Sequence, residues 1–126
     1  MAKYLLIQHY EGGGCDRPMG TWEPADVRAH IEFQQALNEA LTAAGELVDA
    51  QGVAGPDQAK RVTSDGTAAE VTSGPFDRPL LAGYRIVDVD GEQRALEIAA
   101  RASAAPGPDG VPMRQPIEVR QVMTAP

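Results

Sequence analysis

The sequence contains few of the residues that would mark a disulfide-linked, zinc-binding or nucleic-acid-binding protein. Its single cysteine, Cys15, excludes an internal disulfide, and one cysteine with two histidines argues against a zinc site. Lysine and arginine together number 11, against 18 acidic residues, which gives a formal net charge of −7. Because nucleic acids and anionic membranes are bound largely through basic side chains, this balance argues against both as partners.

Long apolar runs are also missing, so no transmembrane helix is expected. The first residues have too short an apolar core for a signal peptide, and we therefore expect a cytoplasmic protein. With 126 residues, 43% of them hydrophobic, the chain suits one globular domain over residues 1–126. The run Gly12-Gly13-Gly14 lacks the flanking pattern of a nucleotide-binding loop, and no cofactor or metal is predicted.

Hydrophobic periodicity predicts the order strand, helix, strand, hairpin, strand, helix, strand. The predicted strands are residues 3–10, 46–53, 60–64, 67–72, 84–89 and 117–123, and the predicted helices are 24–44 and 91–103. In the hairpin, Asp65-Gly66 is typical of a two-residue turn. Such a turn would place Arg61 opposite Glu70 and Val62 opposite Ala69.

The two predicted helices have recognisable ends. Pro24 suits the first position of the first helix, and Gly45 suits the position just past its end. Asp90 is expected to cap the second helix together with Gln93, as a capping box. One face of the first helix carries residues at helical spacing: Val27, His30, Ile31, Gln34, Leu37, Leu41 and Ala44.

The strand at 84–89 is apolar on both faces, which predicts a strand in the interior of a sheet. The first strand shares this property, with Leu5, Ile7 and His9 on one face. Helices would cover only one face of such a sheet. A monomer would expose the other as a large apolar patch, so we expect a homodimer.

Several short motifs follow one another in a recognisable order along nearly the whole chain. They are Lys3-Tyr4-Leu5-Leu6-Ile7, Ala44-Gly45-Glu46-Leu47-Val48, Ser73-Gly74-Pro75-Phe76, Ala82-Gly83-Tyr84-Arg85-Ile86 and Ile117-Glu118-Val119-Arg120. This order resembles the YCII-related family, many of whose members carry a DGPF signature. The resemblance implies an α+β, ferredoxin-like fold that dimerises into an α/β barrel. It implies no general activity, although a His–Asp pair is proposed for some members and others are linked to extracytoplasmic-function sigma factors.

Within that topology, the start of the first helix should lie over the end of the first strand. His30 is on the apolar face of the helix, and an imidazole changes its charge near neutral pH, as an acid or base catalyst must. The alternative is a packed histidine that is hydrogen-bonded to Gln34 or to a backbone carbonyl. The candidate catalytic residues are His30, His9 and Asp16, and the candidate ligand-binding residues are Gln34, Tyr10, Tyr84 and Asp88.

Two functions of different classes fit these residues. One is a small-molecule-binding or enzyme-like protein with a pocket between the first helix and the sheet, in which His30 would serve as acid or base if the protein is an enzyme. The other is a non-catalytic regulatory or interaction protein. They differ in whether His30 lines an open cavity or is packed solidly among other side chains.

Overall fold

The computed structural model describes residues 1–9, 19–76 and 81–124. Over these ranges the chain forms a four-stranded antiparallel sheet, two helices and a separate two-stranded hairpin. In the same ranges, no helix has the length and apolar character that crossing a membrane requires. The elements are β1 Ala2–His9, α1 Pro24–Ala43, β2 Leu47–Gly52, β3 Lys60–Ser64, β4 Ala69–Ser73, β5 Leu81–Val89, α2 Glu92–Ser103 and β6 Ile117–Gln121.

The order of strands in the sheet is β2-β5-β1-β6, and every neighbouring pair is antiparallel. When the β3–β4 hairpin is set aside, the chain runs βαββαβ, so this mixed α+β arrangement is compatible with a ferredoxin-like fold. Strand β5 lies in the interior of the sheet, which confirms the position predicted from its two apolar faces.

The hydrophobic core lies between the helices and one face of the sheet. On the sheet side it contains alternate residues of β1 and β5, and on the helix side it contains the last turns of α1 and the inner face of α2. Its fully buried members include Leu6, Leu41, Val87 and Ile98. The complete set is Tyr4, Leu6, Leu37, Leu41, Val87, Val89, Ala95, Ile98, Ala99 and Ala102.

Helix α1 ends where the sequence predicted. Gly45 has a φ of +73°, the left-handed conformation that glycine adopts at low cost. The backbone N–H of Glu46 reaches back to the carbonyl of Leu41 at 2.9 Å, which satisfies one of the last free carbonyls of the helix. The chain can therefore turn directly from α1 into β2.

The predicted capping box at the start of α2 is wrong. Gly91, in an extended conformation, is the N-cap residue, and no side chain caps the helix. Asp90 lies one residue too early, because the chain remains extended through Gly91 before the first helical turn. The other end was predicted correctly, since α2 ends at Ser103.

The predicted register of the hairpin is also wrong. Arg61 lies opposite Thr72, and Glu70 lies opposite Thr63. The cause is the side chain of Asp65, whose Oδ1 accepts hydrogen bonds from the backbone N–H groups of Thr67 at 2.8 Å and Ala68 at 2.9 Å. This local turn lengthens the loop beyond the two residues expected from Asp-Gly.

Gly74 has no left-handed conformation, so a positive φ is not what requires glycine there. The reason is close packing, because a Cβ would lie 2.8 Å from the carbonyl oxygen of Pro56 and 3.2 Å from that of Ala59. We expect Gly74→Ala to lower the free energy of unfolding by about 1–3 kcal/mol, as overpacking does. Chemical denaturation checks this, with Ser73→Ala as the neighbouring control. An unchanged unfolding midpoint for Gly74→Ala would contradict it.

Candidate functional site

A cavity of about 660 Å³ lies between the middle of α1 and the sheet. The segments before α1 and before β6 complete its wall. Its described lining residues are Gln8, Met19, Gly20, Trp22, His30, Ile31, Gln34, Asn38, Ala50, Gln51, Gly52, Ala82, Tyr84, Arg85, Met113 and Gln115.

The cavity exists because α1 presents different residues to the core and to the space beside it. Leu37 and Leu41 fill the core, whereas His30, Gln34 and Asn38, one turn apart along the helix, line the cavity. The sheet next to the cavity carries the small residues Ala50, Gly52 and Ala82. Short side chains under a polar helix face leave space that the core does not fill.

Arg85 is the most strongly buried polar residue of this site, with 4% of its surface exposed. On β5 it alternates with Tyr84 and Ile86 and so faces the helices, on the same side as Val87. Its Nε donates to Oδ1 of Asn38 at 2.8 Å, and its Nη2 donates to Oε1 of Gln34 at 2.6 Å.

All three oxygen atoms that accept from the Arg85 side chain belong to neutral amides: Oδ1 of Asn38, Oε1 of Gln34 and the backbone carbonyl of Gln34. No carboxylate in the described part of the chain forms an ion pair with it. Burial lowers the pKa of the Arg85 guanidinium, but an arginine stays protonated at neutral pH. Among the described residues, this buried positive charge therefore has hydrogen-bond acceptors but no counter-ion.

Gln34 links this charge to His30. Its Oε1 accepts from Arg85, while its Nε2 donates to Nε2 of His30 at 3.3 Å. On the other side of the imidazole ring, Nδ1 donates to the backbone carbonyl of Pro106 at 3.0 Å. These contacts fix the amide orientation of Gln34 from both ends and select the His30 tautomer that carries its proton on Nδ1.

The imidazole ring of His30 also packs against Trp22. The two ring centroids are 5.7 Å apart and the planes meet at 82°, an edge-to-face contact. Trp22 is 7% exposed and lies just before α1, where the sequence places a large aromatic next to the helix start. It anchors one end of the cavity wall.

The lining combines neutral amides with apolar side chains. Its amides are Gln8, Gln34, Asn38, Gln51 and Gln115, and its large apolar side chains are Met19, Trp22, Ile31 and Met113. Among the described lining residues, Arg85 is the one permanently charged group, since lysine, aspartate and glutamate are absent from this part of the wall. The described wall of the cavity therefore combines one positive charge with neutral amides and apolar side chains.

Tyr84 lines the cavity, but its hydroxyl group is already engaged. It donates to Oδ2 of Asp49 at 2.9 Å, on the neighbouring strand β2. This hydrogen bond lowers the pKa of Asp49 and raises the pKa of Tyr84. This hydrogen bond links the side chains of neighbouring strands β2 and β5.

The structure brings two of the residues predicted from the sequence together, since His30 and Gln34 line the cavity and share a hydrogen bond. Tyr84 also belongs to the cavity wall, but it alternates with Arg85 on β5 and pairs with Ile7, so its side chain lies on the face of the sheet away from the helices. Tyr10 and Asp16, the other two predicted residues of the segment next to α1, lie outside the described residues.

His9 and Asp88 do not join this group. Both alternate with core residues on their strands, so their side chains lie on the face of the sheet away from the helices. Nε2 of His9 lies 3.4 Å from Oε1 of Glu118, also on that face. The expectation that His9 assists His30 is not met, because the strand places the neighbouring residue Gln8, rather than His9, toward the cavity.

Arg85, Asn38 and Gln115 are among the residues of the site that the sequence did not reveal. Alternation along β5 already placed Arg85 on the same face as Val87 and Val89, which is an unusual position for a charge. This unusual position could have identified Arg85 as a site residue from the sequence. Asn38 is four residues after Gln34 on the same helix face, whereas Gln115 lies in an irregular segment without a periodic pattern.

No grouping of three His, Cys, Asp or Glu side chains suited to a metal ion occurs within residues 1–9, 19–76 and 81–124. A comparison with models of known protein families finds no match to this chain, and a search of curated proteins finds none either. The geometry of the site is therefore the basis for any statement about function.

Proposed function

We propose that the protein binds a small molecule in the cavity between α1 and the sheet. The observation that carries the proposal is the open cavity beside His30, of about 660 Å³, within the range of known ligand pockets. Its wall is mixed in character, with apolar side chains and a few converging polar groups. This combination is typical of sites that bind and orient small ligands.

His30 contributes to this site as a hydrogen-bonded wall residue. Both of its ring nitrogens are occupied, Nδ1 by the carbonyl of Pro106 and Nε2 by the amide of Gln34. Acid or base catalysis by His30 requires Gln34 to move away from Nε2 first, because a nitrogen that already accepts a hydrogen bond is not free to take a proton. The contacts therefore favour binding over catalysis in the ligand-free protein.

The second candidate is a non-catalytic regulatory or interaction protein, with a link to extracytoplasmic-function sigma factors as the family resemblance implies. A packed His30 would favour it. The open cavity beside His30 instead supports the small-molecule function. We retain the proposed membership of the YCII-related family and a cytoplasmic location as part of this proposal.

Trp22 offers a direct test, since it is the single tryptophan of the chain and lines the cavity. We expect the fluorescence of Trp22 to change when a metabolite from a mixed pool binds in the cavity. Ala50→Phe, which fills the cavity from β2, should abolish the change, whereas Val62→Phe on the exposed hairpin should preserve it. A response that survives Ala50→Phe, or none with any pool, would refute the proposal.

We also propose a homodimer, arranged as a dimeric α/β barrel. The sheet face away from the helices carries Leu5, Ile7 and Ile86, each still partly exposed. A second copy that covers this face would remove these apolar side chains from water, which is the arrangement that soluble proteins favour for a large apolar patch.

Sedimentation tests the dimer at micromolar concentration. We expect the mass of two chains for the unaltered protein and the mass of one chain for Ile7→Glu, because a charge at the centre of an apolar interface is strongly disfavoured. Val62→Glu, on the exposed hairpin, is the matched control and should remain dimeric. Sedimentation of the unaltered protein as one chain alone would rule out the dimer.

A further inference from the structure

The charge of Arg85 indicates what kind of ligand the cavity accepts. This step rests on the proposed small-molecule function and adds the chemical class of the ligand. A buried charge is costly unless it is paired, and the two amides that contact Arg85 supply hydrogen bonds but no opposite charge. An anion in the cavity would complete the arrangement.

The guanidinium has unused capacity on its cavity side. Nε is occupied by Asn38 and Nη2 by Gln34, whereas Nη1 donates to no described residue. Because Arg85 lines the cavity, these N–H groups are available to a carboxylate or a similar oxyanion. The side-chain amides of Asn38 and Gln34 then hold the guanidinium in position without adding charge.

The composition of the wall limits the charge of the ligand to one. The chain has an excess of 7 acidic residues, yet the described wall of the cavity contains no carboxylate and a single cation. A polyphosphate or a di-acid would leave negative charge unpaired in a site with one arginine. The amide side chains of the wall, such as that of Gln8, add polar groups without adding charge.

The apolar part of the lining bears on the body of the ligand. Met19, Trp22, Ile31 and Met113 contribute an aromatic ring, a branched aliphatic side chain and two adaptable thioethers to the wall. Such a surface favours an apolar or aromatic group over a sugar or a second charged group. We propose that the ligand is a small organic monoanion, a carboxylate with an apolar body, whose carboxylate pairs with Arg85.

The experiment compares each carboxylate with its neutral amide of nearly equal size. The probes are benzoate and benzamide, 3-phenylpropionate and its amide, and hexanoate and hexanamide. Binding is measured by NMR titration at constant ionic strength, through the Trp22 indole N–H and the Arg85 Nε–H signals. We expect each carboxylate to bind about tenfold or more tightly than its amide and to shift both signals, because charge-assisted hydrogen bonds are the stronger ones.

Two variants and a control assign the selectivity to Arg85. Gln34→Glu places a carboxylate at the position where the amide oxygen accepts from Nη2, and should abolish the preference for anions while Arg85 stays in place. Arg85→Met removes the charge itself and should have the same effect on selectivity. Gln51→Glu adds the same charge to the wall without touching Arg85 and should retain most of the preference.

The outcomes separate this inference from the function on which it rests. Amides that bind as tightly as their carboxylates, with shifts at Trp22, would overturn the inference and leave small-molecule binding intact. Carboxylate selectivity that persists in Gln34→Glu and Arg85→Met would also overturn it, because another group would then hold the anion. Absence of any Trp22 shift with all six probes at millimolar concentration would count against both.

Discussion

Replacing Gly83 with alanine should destabilise the fold by about 1–3 kcal/mol, the usual cost of forcing an extra group into a packed site. Gly83 is buried on the central strand β5, opposite Gly52 of β2. A Cβ at this position would lie 2.7 Å from the carbonyl oxygen of Gln51 and 3.2 Å from the Cα of Gly52. Both are backbone atoms, so β2 would have to shift as a whole.

The matched control is Gly52→Ala, in the same cross-strand pair. A Cβ on Gly52 meets nothing within 4 Å, so this change should leave stability nearly unaltered or raise it slightly by restricting the unfolded chain. Urea denaturation of the two variants gives the comparison. Equal unfolding midpoints for Gly83→Ala and Gly52→Ala would show that the close approach of the strands is not what requires glycine at 83.

The second large effect is expected in α2. Ile98 is fully buried at 0% exposure, so Ile98→Ala should cost about 2–5 kcal/mol through lost apolar contacts and the cavity left behind. Leu96 lies on the same helix and is 45% exposed, and Leu96→Ala should cost less than about 1 kcal/mol. Calorimetry or denaturation measures both, and a similar loss for the two variants would contradict the proposed position of the core.

Periodicity predicted most of the architecture because each core-facing element has a continuous pattern. The apolar face of α1 and the two apolar faces of β5 were sufficient to place a helix over a central strand. The hairpin register failed for a local reason, since the side chain of Asp65 lengthens the turn. Such side chain–backbone hydrogen bonds leave no periodic signal in a sequence.

The site was predicted in part because alternation identifies which residues share a face but not which face the helices cover. His9 and Asp88 were assigned to the site, yet they belong to the face that α1 and α2 leave open. Arg85 shows the converse case. Its face was evident from its neighbours, but its partners depend on which residues of α1 pack above it, and that is a property of the tertiary structure.

The Gln34 bridge ties the hydrogen bonding of His30 to the charge of Arg85. One amide serves both side chains, and its oxygen and nitrogen ends are not interchangeable. A ligand that pairs with Nη1 of Arg85 leaves this amide in place, so Nε2 of His30 keeps its hydrogen bond from Gln34 after the ligand has bound. The bridge that positions the guanidinium thereby withholds the imidazole lone pair from the ligand.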